Sequence, residues 1–492
     1  MPRAHLVHGT RFGRDHDDHG LAETYDAANL IEPHALSKLC SVDGGAPECY
    51  TLQHHIAQWE LQHMQRAELS LTAVSAIGDE RIDWRFKGLP AETFGQTIRE
   101  TAAQRLDLFA DEFVGPLVVL DADALEHNLT TMAKWCEAHG VALAPHGKTT
   151  MAPQLFRRQL ELGSWAITAA NASQLRVYRA FGVSRVLLAN QLLDPAALRW
   201  VAAELDHDPL FEFSCWADSE AGIALMSETL QEISPGRRID VLVELGAPGG
   251  RTGARDVETG LAVARAVAQS PVLRLAGVAG YEGALAHDAT ESSKSIVDRY
   301  LRDLRSLVLR MADHGLLDDL DQVIVTAGGS AYFDQVASAI TQPWPVPVLP
   351  VLRSGAYVTH DDGFYRGISP FGRIRGVEPF RPALHAWAQV TSRPQRDLAL
   401  LTLGKRDASF DEGLPEPQRL RRRDGATVPL GDARITALND QHAFMALGVE
   451  APVRVGDWVG LGLSHPCTVF DKWQLIPVVS GTTVVDLIRT YF

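Results

Sequence analysis

The sequence predicts an α/β protein, a (β/α)8 barrel followed by an antiparallel β domain. Between about residues 140 and 352, short apolar runs alternate with amphipathic segments. Continuous apolar strands alternating with helices call for a parallel sheet covered on both faces. Eight such units in about 210 residues suit a closed barrel better than an open doubly wound sheet, which is the alternative. After about residue 380 the rhythm changes to strand-like runs separated by turn clusters, with no helix of useful length.

Residues 1–110 show no strand–helix rhythm and read as an extension of unknown role. Asp15-His16-Asp17-Asp18-His19 has metal-ligand residue types but lies in a polar, Gly-flanked stretch, and reads as a solvated loop. His54–Leu69 reads as a helix with Ile56, Trp59, Leu61 and Met64 partly on one side. Residues 111–380 form the barrel part. Pro116–Leu120 is a strand, and Asp121-Ala122-Asp123 opens a helix that runs to Gly140. The barrel strands are expected at 141–145, 165–169, 185–189, 211–215, 239–245, 272–279, 322–326 and 347–352. Helices are expected between them at 151–162, 172–181, 194–204, 218–232, 256–269, 289–314 and 330–340. Residues 381–492 form the β domain, with strands at 384–391, 398–403, 434–438, 443–448, 457–463 and 473–479. The Arg-rich stretch Arg419–Asp424 reads as a solvated hairpin.

The chain has 492 residues, 46% of them hydrophobic and 22% charged, an ordinary globular composition. Its net charge of −15 disfavours nucleic acid and anionic membrane surfaces as partners. An anionic cofactor therefore needs a local positive pocket. No apolar run approaches the ~18–20 residues of a membrane span. Met1–Arg14 has no apolar core behind it, so it does not read as a secretory signal. Five scattered cysteines, Cys40, Cys49, Cys136, Cys215 and Cys467, argue against a disulfide framework and for a cytoplasmic protein.

Barrel active sites lie at the strand exits. One exit carries His146 and Lys148 in Pro-His-Gly-Lys-Thr. Another carries Arg251 among four glycines and a proline, a loop whose backbone can come close to a ligand. A third places Tyr281 where a planar group could stack. Thr326-Ala327-Gly328-Gly329-Ser330 joins a strand to a helix, and free N–H groups there suit a phosphate. It follows the seventh strand, a common phosphate position in barrels. The last exit, Arg353–Asp362 with Tyr357 and His360, suits either a site or a capping loop. In the β domain, His465 and Cys467 stand two apart, and on a strand they would share a face. Both are zinc ligand types. Leu438–His442 is a second, equally ambiguous polar cluster. A lysine for a Schiff base, a phosphate cradle, an aromatic ring and an arginine together are the parts that hold pyridoxal phosphate.

From about residue 113 to 480 the chain resembles the D-serine dehydratase and D-threonine aldolase-like family of pyridoxal phosphate enzymes, with an alanine-racemase-type barrel and β domain. The resemblance rests on Pro-His-Gly-Lys-Thr at 145–149, Arg251-Thr252-Gly253, Thr-Ala-Gly-Gly-Ser at 326–330, Ser-Gly-Ala-Tyr-Val at 354–358 and His-Pro-Cys-Thr at 465–468. Among its members the chain is most similar to bacterial D-serine deaminase-like enzymes. The resemblance implies that Lys148 carries the cofactor and moves the α-proton, and that Arg251 faces the pyridine nitrogen. It implies that Gly328, Gly329 and Ser330 hold the phosphate, that His146, Tyr281 and Tyr357 lie around the cofactor, and that His465 and Cys467 bind zinc. An arginine keeps its proton, so the ring is a weak electron sink, and a zinc Lewis acid would assist loss of a β-hydroxyl. His-x-Cys resembles the dehydratases, whereas the aldolases are more similar to His-x-Asp. The implied protein is a homodimer that dehydrates D-serine or a related small-molecule D-amino acid. Aldol cleavage, racemisation and a non-catalytic cofactor carrier are the alternatives.

Overall fold

The structure, a computed structural model, describes residues 66–492. The expected loop at Asp15–His19, the expected helix up to residue 65, and Cys40 and Cys49 lie outside the described residues. The last residues of that expected helix are not helical. Ala67 N instead donates to Trp165 O, and Ser70 N donates to Phe181 O, which ties the segment to the barrel.

Strand β1 (Leu117–Asp121) ends where Asp121 caps the helix Ala122–Ala138, its carboxylate accepting from Ala124 N at 2.8 Å. The barrel strands are β2 (Ala142–Leu143), β3 (Ile167–Ala169), β4 (Arg185–Gln191) and β5 (Glu212–Ala217). They continue with β6 (Ile239–Leu245), β7 (Leu273–Gly280), β8 (Val323–Ala327) and β9 (Val348–Leu352). All are parallel, in the order β2-β9-β8-β7-β6-β5-β4-β3. The ends of this order meet. His146 bridges Thr168, Trp165 N donates to Leu143 O at 2.7 Å, and Thr168 N donates to Pro145 O at 2.8 Å. Trp165, Leu187, Trp216, Leu242, Leu349 and Val351 form a buried cluster with several alanines, so the barrel is packed rather than hollow. Helices fill every interval, at 153–161, 172–180, 195–207, 220–233, 257–269, 291–313 and 333–340. Asn171, Asp194, Ser219, Asp256 and Thr290 each accept a backbone N–H at a helix start, so the sequence marks these boundaries chemically.

The β domain comprises β10 (Leu384–Gln395), β11 (Leu398–Leu401), β12 (Glu416–Arg421), β13 (Thr427–Pro429) and β14 (Ala433–Leu438). It continues with β15 (Ala443–Leu447), β16 (Trp458–Gly462), β17 (Leu475–Ser480) and β18 (Thr483–Arg489). The Arg-rich stretch lies in the β12–β13 hairpin, with Arg421 opposite Thr427. Leu438–His442 is the turn between β14 and β15.

Strand β1 lies in this second sheet, antiparallel to β10 and parallel to β17, not in the barrel. Its alternation explains the placement. Val118 and Leu120 join the core shared with the barrel helices, whereas Leu117 and Val119 join a second core with Val74, Ile82, Phe86, Ile98 and Leu108. Residues 66–113 thus cover the outer face of the second sheet. A capping box, in which Thr97 and Glu100 exchange hydrogen bonds, starts one of their short helices. No helix among the described residues is long and apolar enough to cross a membrane.

Candidate active site

Because β2 to β9 are parallel, their exits open on one face of the barrel. Lys148 stands exposed in the short turn Gly147–Thr149 that follows β2. Arg353, just after β9, is 1% exposed and reaches back across the barrel end, donating to Thr326 Oγ1 at 2.5 Å and to Gly280 O. Its guanidinium lies 4.9 Å from the Trp216 ring centroid, and burial brings its pKa down to about 10. Arg251 lies over the Tyr281 ring at 5.1 Å. Its loop is fixed by Thr252 Oγ1 donating to buried Glu244 at 3.0 Å and by Gly253 N donating to Asp218 at 3.1 Å. Burial raises the Glu244 carboxyl above its ordinary value.

His146 reports the convergence of these cations. Burial, then Lys148, Arg353 and Arg251, hold its pKa well below the ordinary value. Inside a chain of net charge −15, three cations thus act on one imidazole, a local positive field of the kind an anionic cofactor needs. The buried His146 Nδ1 and Arg353 Nε have no hydrogen-bond partner among the described residues. Polar atoms left over in this way fit a site shaped for a polar ligand.

The Gly328-Gly329-Ser330 turn differs from the expected helix N-terminus. The helix starts at Phe333, and Ser330 does not cap it. Gly328 has φ +100°, a conformation that glycine adopts freely. Gly328 N and Gly329 N donate to the carboxylate of Glu282, at 3.0 and 3.2 Å. Half-buried Ser330 has no hydrogen-bond partner among the described residues.

The β domain reaches the lysine turn directly. Cys467 Sγ lies 3.5 Å from Thr149 Oγ1, one residue after Lys148. His465 and Cys467 are not on a strand, so shared-face alternation is not what brings them together. Cys467 opens a four-residue helical turn and His465 has φ +52°, so backbone curvature does it. Asp361 holds the His465 backbone, accepting its N–H at 2.9 Å, and also accepts from Gly363, Tyr365 and Arg366 N–H groups. The His465 Nδ1 pairs with Asp411 at 2.6 Å, which leaves Nε2 for another partner. A carboxylate behind an imidazole is the usual support of a metal-ligating histidine. Adjacent Cys467, then Asp411, hold His465 at a pKa of about 9. Among the described residues no three His, Cys, Asp or Glu side chains form a ready-made metal cluster. The nitrogen and sulfur donors present fit zinc that takes its remaining ligands from elsewhere.

Lys148, His146, Arg251, Tyr281, Gly328, Gly329, Ser330, His465 and Cys467 therefore all stand in or beside these strand exits. Tyr357 does not join them. It is 2% exposed, packs near Phe380, and its hydroxyl accepts from Gln159 Nε2 at 3.1 Å. Sequence reading had not assigned roles to Arg353, Glu282, Trp216, Asp361, Asp411 or Thr149. Thr149 lay in the quoted Pro-His-Gly-Lys-Thr and Arg353 and Asp361 in the last exit, and Glu282 stood beside Tyr281, whereas nothing signalled Trp216 or Asp411.

A parallel barrel with its lysine at a strand exit, completed by an antiparallel domain, is the alanine-racemase-type fold. Residues 383–479 match the family model described as a putative serine dehydratase domain. The chain is 28% identical over 377 residues to D-threonine aldolase of Arthrobacter sp, covering 76% of this chain and 90% of that one. The solved D-threonine aldolase of Filomicrobium marinum superposes with a TM-score of 0.65 at 25% identity, covering 77% of this chain and 95% of that one. D-threo-3-hydroxyaspartate dehydratase from Delftia sp. HT23 shares the fold, with a TM-score of 0.61 at 19% identity over 77% of this chain and 98% of that one. Over most of its length the chain is thus similar to enzymes of the D-serine dehydratase and D-threonine aldolase-like family.

Proposed function

We propose that the protein is a pyridoxal phosphate- and zinc-dependent D-amino-acid dehydratase that converts D-serine, or a related β-hydroxy D-amino acid, to a keto acid and ammonia. The observation that supports this reading is the 3.5 Å approach of Cys467 Sγ to Thr149 Oγ1, on the residue that follows Lys148. When bound, pyridoxal phosphate supplies an electron sink at the α-carbon and zinc a Lewis acid for the β-hydroxyl. Lys148 Nζ would hold the cofactor and move the α-proton. Arg251 would serve its pyridine ring while keeping its own proton, and Ser330 would hold the phosphate. His465 Nε2 and Cys467 Sγ would hold the metal, with Asp411 fixing the imidazole. In this reading the protein works in the cytoplasm as a homodimer.

The names of the relatives support a second reading, an aldolase that splits Cα–Cβ. Separate incubations with D-serine and D-threonine, with and without chelator, distinguish the two. Pyruvate with equimolar ammonia, abolished by chelation, supports dehydration. Glycine with an aldehyde supports the aldolase, and loss of optical rotation without ammonia supports a racemase.

A further inference from the structure

We propose that Glu282 is a positioning residue for the cofactor's phosphate, setting the shape of the Gly328–Gly329 turn without touching the ligand. The inference rests on the assignment of that turn to the phosphate. Glu282 is 0% exposed and comes from the exit of β7, next to the β8 exit that carries the turn. Its two oxygens take two consecutive backbone hydrogens, Gly328 N–H at 3.0 Å and Gly329 N–H at 3.2 Å. From the β9 exit, Ser354 Oγ donates to Gly329 O at 2.6 Å. Both polar backbone groups of Gly329 are thus held by side chains of two neighbouring exits.

Each N–H donates one hydrogen, so these two are spent, and Ser330 is left with its N–H and hydroxyl free for a ligand. The clamp fixes where they point. Glycines cost more backbone entropy to order than other residues, and charge-assisted hydrogen bonds are the strong kind that can hold them. A carboxylate without solvent is expensive to keep, and here its compensation is local. Burial raises the Glu282 carboxyl above its ordinary value, and Arg353, from the β9 exit, and the two glycine N–H groups work against that rise. An added Cβ on Gly329 would meet the Tyr281 ring at 3.0 Å, so the turn is also close-packed on its other side.

The test compares two probes on the full chain stripped of cofactor, pyridoxal 5′-phosphate and pyridoxal, which lacks the phosphate. Their affinity ratio, read by tryptophan fluorescence and cofactor absorbance, isolates the phosphate's contribution. In Glu282→Ala the ratio is expected to fall about tenfold or more, the worth of one hydrogen bond to a charged group, while pyridoxal binding stays within about twofold. Glu282→Gln, which keeps one acceptor oxygen and the same shape, should fall between this variant and the wild type, and it carries the test if Glu282→Ala does not fold. An unchanged or higher ratio in both variants overturns the proposal, as does an equal loss for both probes. A wild-type protein that binds the two probes equally refutes the phosphate assignment itself, and the positioning role with it.

Discussion

Gly355→Ala tests whether the lysine turn is set by packing between strand exits. Gly355 has φ −123°, which alanine tolerates, so the added methyl acts through contacts alone. That methyl would lie 2.8 Å from His146 Cβ and 2.8 Å from Thr149 Oγ1. Both neighbours flank Lys148, and neither is the free end of a flexible side chain. Relief requires a few tenths of an ångström of movement in the turn, and over-packing of this kind costs about 1–3 kcal/mol. The same movement disturbs the Thr149 contact with Cys467 Sγ at 3.5 Å. Gly367→Ala is the control, since nothing lies within 4 Å of its added methyl. Urea unfolding and pyridoxal phosphate titration of both variants provide the readout. The expected result is a loss of about 1–3 kcal/mol and weaker cofactor binding for Gly355→Ala only. Wild-type stability and binding in that variant would refute the packing argument.

Asp411→Ala removes the acceptor behind His465 and is expected to weaken zinc binding about 10–100-fold in a competitive chelator titration, with folding intact. His360, 6% exposed, is held by burial and then Arg366 at a pKa of about 4. Below about pH 6.5 the unfolded chain takes up a proton that the folded chain refuses until about pH 4, so stability falls as pH falls through that window. The loss should total on the order of 3 kcal/mol for this group, and His360→Asn should flatten the slope of stability against pH. Thr97→Ala removes half of the capping box and should cost about 0.5–2 kcal/mol in chemical denaturation while leaving turnover unchanged.

The barrel was legible because its strands are mainly apolar runs and five of its seven helices start at a capping side chain. Strand β1 was visible as a strand, but its sheet was not, because its apolar run fits either sheet. β12 and β18 escaped notice because Arg419, Arg421, Asp486 and Arg489 break their apolar runs. The His465–Cys467 pair was found from ligand chemistry, although its geometry comes from a left-handed residue and a helical turn. Tyr357 carried the residue type and neighbours of a site, but its ring packs in the core. Glu282 and Arg353 act by reaching across to neighbouring strands, and spacing along the chain does not encode that.

In the proposed reading, Lys148 and the His465–Cys467 pair serve one substrate in separate roles. Borohydride trapping of the cofactor on Lys148 and ammonia release from D-serine, measured together in Cys467→Ser and Lys148→Ala, test it most directly. The account predicts that Cys467→Ser still fixes the cofactor on Lys148 but releases little ammonia, while Lys148→Ala loses both. Ammonia release at the wild-type rate by Cys467→Ser, or a cofactor still fixed covalently in Lys148→Ala, would contradict it.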